Sequence, residues 1–497
     1  MQASARVVET FDVPTTGAAA PAPPELRGQP TPSRRIPRRA IEIIGIVIGI
    51  ALVATVARST ELSNDEFWSL AAGQWMVTHH SFMGLDPFSY TESHRRWVTD
   101  EWGSEIALAE LFGLFGNAAY SLYAIILGGL CLLSSAAYAR ALGARGGRVA
   151  AIVIVLAIGL AGIVASDRGL DFSLVWLPLE LLVLTKARRT PRWLLLLPAL
   201  CVLWVNTHGS ILLGLLVLGV ELGWSLVPER VVHAVGGLHQ SRCTGSLALA
   251  LLGSVVASCI TPYGPGLLAY DFAVSRNGQI AQYITEWNSP SFHSFLTILV
   301  YCVPLALLVA CVCVRRIPLL EGSLGLFLFV EALQTERLAM YLLVVAAGLA
   351  ATLPASAPWG TTARRWAGGG LVAMAIVVLA IPAVPAGTVS PTQPIAAFNY
   401  LRARPGRIFT EYTWGDYSIA RHRATFVDGR TDLFEGPVLT EFMAASNLTA
   451  SPDPVLAAYQ VAYVVWAPRT PLALYLAHDP GWHVVDRTPV ALVFARR

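Results

Sequence analysis

Acidic residues directly follow the first apolar stretch of the chain. Asp65 and Glu66 open the segment NDEFWSLAAGQWMVTHH, which comes after an apolar run ending near residue 58. A carboxylate at the level where lipid headgroups meet water can act as a general base, or hold a divalent cation against a phosphate. The same acids can instead cap the helix that FWSLAAGQWM predicts. We predict that Asp65 is a catalytic base with Glu66 beside it, and the capping role stays open.

Further candidate residues lie in connections between apolar runs. Asp167, Arg168 and Asp171 in SDRGLDFS are enclosed by two such runs, where charges are costly unless they are paired or used. A turn with Asp171 as a helix cap satisfies them structurally, and contact with a metal, a phosphate or an acceptor is the functional alternative. The other candidates for substrate binding are Asp100 and Glu101 in WVTDEW, His208 in WVNTHGS, Glu286 in ITEWNSP and Arg337 in QTERLAMY.

The basic members of this set also have ordinary structural interpretations. Arg337 can bind a lipid phosphate through a bidentate contact, but an arginine near a membrane surface also extends simply to keep its charge hydrated. A single histidine such as His208 is more often a packing residue. The acids together can hold a divalent cation such as Mg²⁺ or Mn²⁺, and no other cofactor is indicated.

Composition indicates that membrane-embedded helices position these residues. The 497 residues are 55% hydrophobic and only 13% charged, with a mean hydropathy of +0.57, which is more apolar surface than one soluble core can bury. The net charge of +3 is too small to indicate nucleic-acid binding. The seven cysteines lie in or beside apolar runs, so no disulfide framework is expected. We therefore predict a polytopic α-helical protein surrounded by membrane lipids.

Apolar runs between charged breaks predict about eleven transmembrane helices. Every second connection is rich in arginine, which places these connections in the cytoplasm and the alternate ones, with all candidate residues above, on the outer face. The predicted spans cover residues 40–58, 118–139, 149–166, 171–186, 193–206, 209–227, 245–262, 294–314, 317–333, 338–354 and 367–386.

The chain divides into three predicted regions. Residues 1–38 are rich in Pro, Ala and Thr and predict a disordered cytoplasmic tail. Residues 39–387 form the transmembrane domain with a large first outer loop at 59–117, and residues 388–497 an extracytoplasmic α/β domain. In that domain, helices are predicted for PTQPIAAFNYLRA, PVLTEFMAAS and DPVLAAY, and strands for RIFTEY, ATFVDGR, VAYVVWAP, WHVVDR and ALVFARR. The predicted location is the plasma membrane, with a cytoplasmic N-terminus.

Two stretches resemble a known enzyme superfamily. The first loop, with NDEFWSLAAGQWMVTHH, DPFSYT and WVTDEW, is similar to the opening loop of bacterial membrane glycosyltransferases of the GT-C superfamily. The segment EYTWGDYSIARHRATFVDGRTDLF resembles the WWDYG motif of oligosaccharyltransferase catalytic subunits, with Gly415 in place of the second Trp. The resemblance implies that Asp65 is catalytic, that a polyprenyl phosphate carries the sugar, and that Trp414, Asp416 and Tyr417 contact the acceptor.

The sequence therefore predicts a glycosyltransferase that moves a sugar from a polyprenyl-phosphate carrier to an extracytoplasmic glycan, lipid or protein. Two alternatives stay open. A transporter or flippase of lipid-linked glycans would use acids at membrane depth, such as Glu180 and Glu221. A non-catalytic protein of cell-envelope assembly would tolerate substitution of every outer acid.

Overall fold

The computed structural model describes residues 37–164, 169–238, 241–278, 284–354 and 361–497, and residues from Pro37 onward form one compact unit. The predicted tail therefore lies almost wholly outside the described residues, as do Asp167 and Arg168. The first part of the unit is helical: α1 Arg38–Ala57, α2 Glu66–His79, α3 Trp102–Phe115, α4 Ala118–Ala141, α5 Gly147–Val164, α6 Leu170–Ala187, α7 Leu197–Val205, α8 Ile211–Leu226, α9 Glu229–Ala234, α10 Thr244–Ala257, α11 Gly266–Ser275, α12 Phe295–Cys313, α13 Leu319–Gln334, α14 Ala339–Thr352 and α15 Thr361–Leu379.

A helix occupies each of the predicted spans. The span at 193–206 begins as a 3₁₀ helix, Pro191–Leu196, because two prolines interrupt its first turns, and continues as α7. Among the described helices, three are long and apolar enough to cross a membrane: α1, α4 and α12. Several others are shorter apolar helices. The span count and the orientation of the chain in the membrane stay predictions.

Small residues let the first helices pack closely. Gly45 and Gly49 of α1 face α5, and a Cβ on Gly45 would collide with Ala150. A larger side chain there would force the two helices apart, which typically costs about 1–3 kcal/mol in a packed interior. This contact fixes the orientation of α1 and therefore the position at which the first outer loop begins.

The C-terminal region packs short helices around one mixed sheet. The strands are β3 Arg407–Thr410, β4 Val461–Trp466, β5 Trp482–Arg487 and β6 Leu492–Arg496, and their order in the sheet is β3-β4-β6-β5. β3 runs parallel to β4, and the other pairs are antiparallel. A two-residue pair, β1 Gly237–Leu238 with β2 Ile317–Pro318, lies elsewhere. The helices are α16 Ile395–Leu401, α17 Tyr412–Ala420, α18 Thr431–Phe434, α19 Pro437–Ser446, α20 Asp453–Ala458 and α21 Pro471–His478.

The strand predicted for ATFVDGR is wrong. In this segment only Thr425 forms an isolated bridge, with Ser89 of the first outer loop. The reason lies in its polar residues, because Asp428 and Arg430 are buried and bond to side chains and to each other instead of joining a strand ladder. The strand predicted for RIFTEY also ends early, at Thr410, where α17 follows.

The first outer loop and the C-terminal region share one hydrophobic core. Met76, Met83 and Trp97 of the loop belong to the same buried cluster as Phe409 and Phe426. Polar contacts add to this core. Tyr90 donates its hydroxyl to the carbonyl of Ile408 at 2.9 Å, Thr91 donates to that of Phe426 at 2.6 Å, and Arg95 donates to that of Glu435 at 2.9 Å. The two regions therefore lie on the same side of any membrane that the helices cross.

Candidate active site

The DGRTD segment, residues 428–432, lies where the first outer loop meets the C-terminal region. Gly429 donates its backbone N–H to Asp416 Oδ1 at 2.6 Å. A Cβ placed on Gly429 would lie 2.9 Å from Asp416 Oδ1 and 2.9 Å from Asp65 Oδ1, so the two carboxyl groups face each other across this glycine. Trp68 donates its indole N–H to Asp65 Oδ1 at 3.2 Å and orients it. The structure thus brings the predicted base next to the acid of the WGDY motif.

Asp416 is the more deeply buried acid of this pair. Asp416 is 1% exposed, and burial raises its pKa well above the usual range. The nearby charges of Asp65 and Asp428 raise the pKa of Asp416 further, while the N–H of Gly429 opposes them. Asp416 therefore holds its proton more tightly than an ordinary aspartic acid does.

Arg430 anchors the other side of the same segment. Its Nε and Nη2 donate to Asp428 at 2.8 and 2.7 Å, and its Nη1 donates to Asp86 at 2.7 Å. The guanidinium also lies over the ring of Trp97, 4.5 Å from the centroid. All these charged groups are buried, so the pairing is what makes their burial tolerable. This cluster holds the DGRTD segment against the first outer loop.

His208 joins the first outer loop to the segment that carries Arg337. Its Nδ1 accepts the backbone N–H of Ser210 at 3.0 Å, so the proton of the neutral ring is assigned to Nε2. Nε2 lies 3.2 Å from Glu101 Oε1 and 3.4 Å from Arg337 Nη2. Burial, followed by the charge of Arg337, lowers the pKa of His208 well below its usual value. His208 is therefore a neutral hydrogen-bond donor to Glu101 and not an ionic partner.

Asp100 and Asp271 lie on either side of Gly209. A Cβ on Gly209 would lie 2.5 Å from Asp100 Oδ2 and 3.0 Å from Asp271 Oδ1. Burial and then the charge of Asp432 raise the pKa of Asp100 to about 7, although Arg337 opposes the shift. Burial and then Asp100 raise the pKa of Asp271 to about 9. These carboxyl groups can therefore exchange protons near neutral pH.

Some carboxyl oxygens in this area are left for a ligand. Asp271 Oδ2 and Glu105 Oε2 are buried and have no hydrogen-bond partner among the described residues. Tyr270 donates its hydroxyl to Asp432, which links α11 to the DGRTD segment. Arg337 makes no ion pair with an acid within the described parts of the chain, so its charge is available to an anion. The area thus combines carboxyl oxygens that lack a hydrogen-bond partner in the described parts of the chain with the guanidinium of Arg337.

Three further predicted site residues are Glu66, Asp171 and Glu286. Glu66 Oε2 accepts the backbone N–H of Asn64 at 2.9 Å, and Asp171 is buried in the first turn of α6. In the 3₁₀ helix Thr285–Trp287, Glu286 lies close to the segment of Arg337, because Glu336 donates its backbone N–H to Asn288 at 3.0 Å. The capping hydrogen bond considered for Asp65 is not seen in the described part of the chain.

The two aromatic residues of the WGDY motif serve packing. Trp414 and Tyr417 are 5% and 4% exposed. The ring of Tyr417 makes edge contacts with Phe67 of α2 and Phe398 of α16, each at 5.4 Å between centroids. In this conformation the two side chains hold α17 on the first outer loop and present no face to a sugar. Asp416 is the polar side chain that the motif contributes to the candidate site.

Sequence analysis missed Asp271, Glu105 and the DGRTD acids Asp428 and Asp432. The signal for Asp271 was a single acid inside the apolar helix sequence LLAYDFAV. The signal for the DGRTD segment was its density of charge directly after an apolar run. Three or more His, Cys, Asp or Glu side chains arranged to hold a metal ion are not found among the described residues.

Solved structures with the same fold are glycosyltransferases. Neither a known protein family nor a curated protein sequence matches the chain. The apo oligosaccharyltransferase of Archaeoglobus fulgidus has a TM-score of 0.63 and 11% identity, over 86% of this chain and 69% of that one. ArnT from Cupriavidus metallidurans, bound to undecaprenyl phosphate, has a TM-score of 0.56 and 14% identity, over 92% and 97%.

A third similar structure is arabinofuranosyltransferase AftD from Mycobacteria, with a TM-score of 0.52 and 15% identity. The match covers 93% of this chain and 42% of AftD. All three are GT-C superfamily enzymes, and this chain has a GT-C-like fold.

Proposed function

We propose that this chain is a membrane glycosyltransferase that moves a sugar from a polyprenyl-phosphate carrier to an acceptor on the outer face of the cell membrane. One observation carries the proposal: the DGRTD segment joins Asp65 and Asp416 to the group formed by Asp100 and Arg337. These residues come from separate segments of the predicted outer face. If each had only a structural role, they would not need to lie together. The N-terminus is then cytoplasmic and the C-terminal region extracytoplasmic.

Asp65 is the proposed general base. The acceptor hydroxyl loses its proton to Asp65 Oδ2 while its oxygen forms a bond to the anomeric carbon, and the bond between that carbon and the phosphate oxygen breaks. Polyprenyl phosphate leaves with the electron pair of the broken bond. Trp68 fixes Asp65 through Oδ1, and the backbone N–H of Gly429 holds Asp416 beside it.

Arg337 is the proposed partner of the carrier phosphate. Negative charge grows on the phosphate oxygen as the sugar leaves, so a cation placed beside it stabilises the transition state more than the ground state. Arg337 fits this role because neutral His208 neighbours its guanidinium at 3.4 Å. The carboxyl groups of Asp100, Glu101 and Asp271 would accept hydrogen bonds from sugar hydroxyls.

The lipid carriers of similar structures support this substrate class. The Archaeoglobus enzyme has been solved with dolichol phosphate and an inhibitory peptide, and ArnT with undecaprenyl phosphate. The Archaeoglobus enzyme has also been solved with Zn and sulfate.

The test is a transfer assay with the full chain in proteoliposomes, using radiolabelled sugar on polyprenyl phosphate and a mixture of extracted envelope acceptors. We expect Asp65→Asn to lower the transfer rate by about 10²–10⁴-fold, the range typical for loss of a general base. Asp486→Asn in β5 is the matched control, because it makes the same chemical change at a residue outside the proposed active site. Equal rates for Asp65→Asn and the wild type would remove Asp65 from the mechanism.

A second candidate function, transport of a lipid-linked glycan, has one observation in its favour. Both carboxyl oxygens of Glu180 are buried in α6 and have no hydrogen-bond partner in the described parts of the chain. Buried acids of this kind occur in proton-coupled transporters. In the same proteoliposomes, movement of the labelled lipid without a new glycosidic bond, abolished by Glu180→Gln, would favour transport.

A further inference from the structure

A cavity separate from the candidate active site lies between α16 and the C-terminal end of α17. Its volume is about 300 Å³. It lies at the opposite end of α17 from Trp414 and Glu411, and the proposed transfer reaction makes no use of it. The cavity is lined by Phe398, Leu401, Arg402, Ala420, Arg421, His422 and Arg423.

The charge of the lining is one-sided. It contains three arginines and a histidine, and none of the lining residues is acidic. Arg402 and His422 are exposed, and neither side chain donates a hydrogen bond to another described residue, although both backbone N–H groups do. A concave surface with cations and no carboxylate raises the local concentration of anions. The lining therefore selects for a negatively charged ligand.

Two of these arginines are already held in place by the fold. Arg423 donates to the carbonyls of Leu401, Arg404 and Gly406 at 3.1, 2.8 and 2.8 Å. Arg421 donates to Asn399 Oδ1 at 3.0 Å. Because such contacts fix the side chains before any ligand arrives, little conformational entropy remains to be lost on binding. Arg402 and His422 then supply the free donors.

The floor of the cavity is apolar, and its position is close to the expected membrane surface. Phe398, Leu401 and Ala420 form the apolar part of the lining. The chain reaches α16 from a segment bonded to the end of the first predicted span, where Leu62 donates its backbone N–H to Thr388 at 2.9 Å. A ligand with an anionic head and a less polar remainder fits such a lining better than a bare ion does.

We propose that this cavity binds a phosphate-bearing group, supplied by an anionic phospholipid headgroup or by a soluble phosphomonoester. Phosphate suits the site because guanidinium groups bind it through paired, charge-assisted hydrogen bonds. The cavity also touches the candidate active site indirectly. Phe398 lines it and contacts Tyr417, which in turn contacts Phe67 of α2. A bound phosphate would therefore stabilise the position of α17, the helix that carries Asp416.

The test is isothermal titration of the full chain in neutral detergent micelles, with sn-glycerol 3-phosphate as one probe and dispersed phosphatidylglycerol as the other. We expect at least one probe to bind the wild type. Arg402→Glu and His422→Glu should each weaken that binding at least about tenfold, the effect of losing one hydrogen bond to a charged group. Binding of only glycerol phosphate identifies a soluble ligand, and binding of only phosphatidylglycerol identifies a headgroup.

Arg487→Glu provides the matched control, because this exposed arginine at the end of β5 undergoes the same charge reversal and is not among the residues that line the cavity. Its binding should equal that of the wild type. The proposal is overturned if neither probe binds the wild type. It is also overturned if all three variants weaken binding equally, since the effect would then be general surface charge. Thermal unfolding of each variant shows that the fold is intact.

Discussion

Two arginines with buried side chains each lie beside two carboxyl groups, but the residues around these two clusters differ. Arg188, directly after α6, donates Nε and Nη2 to Glu221 at 3.0 Å each, and its Nη1 lies 3.9 Å from Glu321. Tyr138 donates its hydroxyl to Glu321 at 2.8 Å. This inner cluster ties α4, α6, α8 and α13 together. Its geometry serves the packing of helices.

Arg430 forms the corresponding outer cluster with Asp428 and Asp86. Here further acids stand beside the paired ones: Asp416 and Asp65 across Gly429, and Asp100, Asp271 and Asp432 beyond. Gathering several acids in one partly buried place is costly, because their like charges raise each other's pKa, as they do for Asp100 and Asp416. The difference teaches that the inner cluster pairs its charges between helices, while the outer cluster gathers further acids at the site where we propose that sugar transfer takes place.

The largest effect on stability is expected for Arg430→Gln. This change leaves Asp86 and Asp428 buried without their cation, and breaking a buried ion pair in this way typically costs about 3–5 kcal/mol. Thermal unfolding in detergent, followed by tryptophan fluorescence, measures the loss. Arg496→Gln, an exposed arginine at the end of β6, is the control and should unfold like the wild type. If Arg430→Gln were as stable as that control, the outer cluster would not be an anchor.

A smaller loss is expected for Glu221→Gln in the inner cluster, since Arg188 keeps Glu321 nearby. Losing a charge-assisted contact should lower the free energy of unfolding by about 1–3 kcal/mol. In the transfer assay, the transfer rate of this variant per folded molecule should equal that of the wild type. A strong loss of transfer without a loss of stability would break the comparison, because the inner cluster would then also take part in function.

The third effect is a pH dependence of stability carried by Asp271, one of the further acids. The pKa of Asp271 is about 9 in the folded chain against an ordinary value of 3.8, so the folded state holds the proton more tightly. Its contribution to stability is fully present below about pH 4 and is lost as the pH rises to about 9. The unfolding temperature of the wild type should therefore fall between pH 5 and pH 9.

In Asp271→Asn this carboxyl group no longer titrates, so the fall in unfolding temperature should be a few degrees smaller than in the wild type. Asp453→Asn, an exposed acid of α20, is the control and should follow the wild type at both pH values. Identical curves for Asp271→Asn and the wild type would mean that Asp271 does not hold its proton in the folded chain.

The helices could be predicted from the sequence because a helix in an apolar environment must satisfy its own backbone, and the run of apolar residues marks its length. The short sheet was also predictable in most strands, since VAYVVWAP and the closing hairpin carry β-branched residues. ATFVDGR misled the prediction because its threonine, phenylalanine and valine are typical of a strand, whereas the burial of Asp428 and Arg430 depends on a distant partner, Asp86.

The candidate site was predictable only in part. Asp65 stood out because it follows a span, and Asp416 because its motif resembles a known one. That these two face each other across Gly429 could not be predicted, since the contact joins distant parts of the chain. Asp271 was missed because one acid in a helix is usually a solvated residue. Trp414 and Tyr417 were assigned to the acceptor through the resemblance of their motif. Both side chains are buried in the structure, and their contact with an acceptor stays a prediction.

The central claim, that the outer acids surround a lipid-linked sugar, is tested most directly by a cryo-EM structure of the full chain with bound polyprenyl phosphate. The account predicts a phosphate oxygen within hydrogen-bond distance of the Arg337 guanidinium, about 2.7–3.2 Å, with the open side of the phosphate towards Asp65. A phosphate bound beside Arg188, or anywhere remote from both Arg337 and the DGRTD segment, would contradict it.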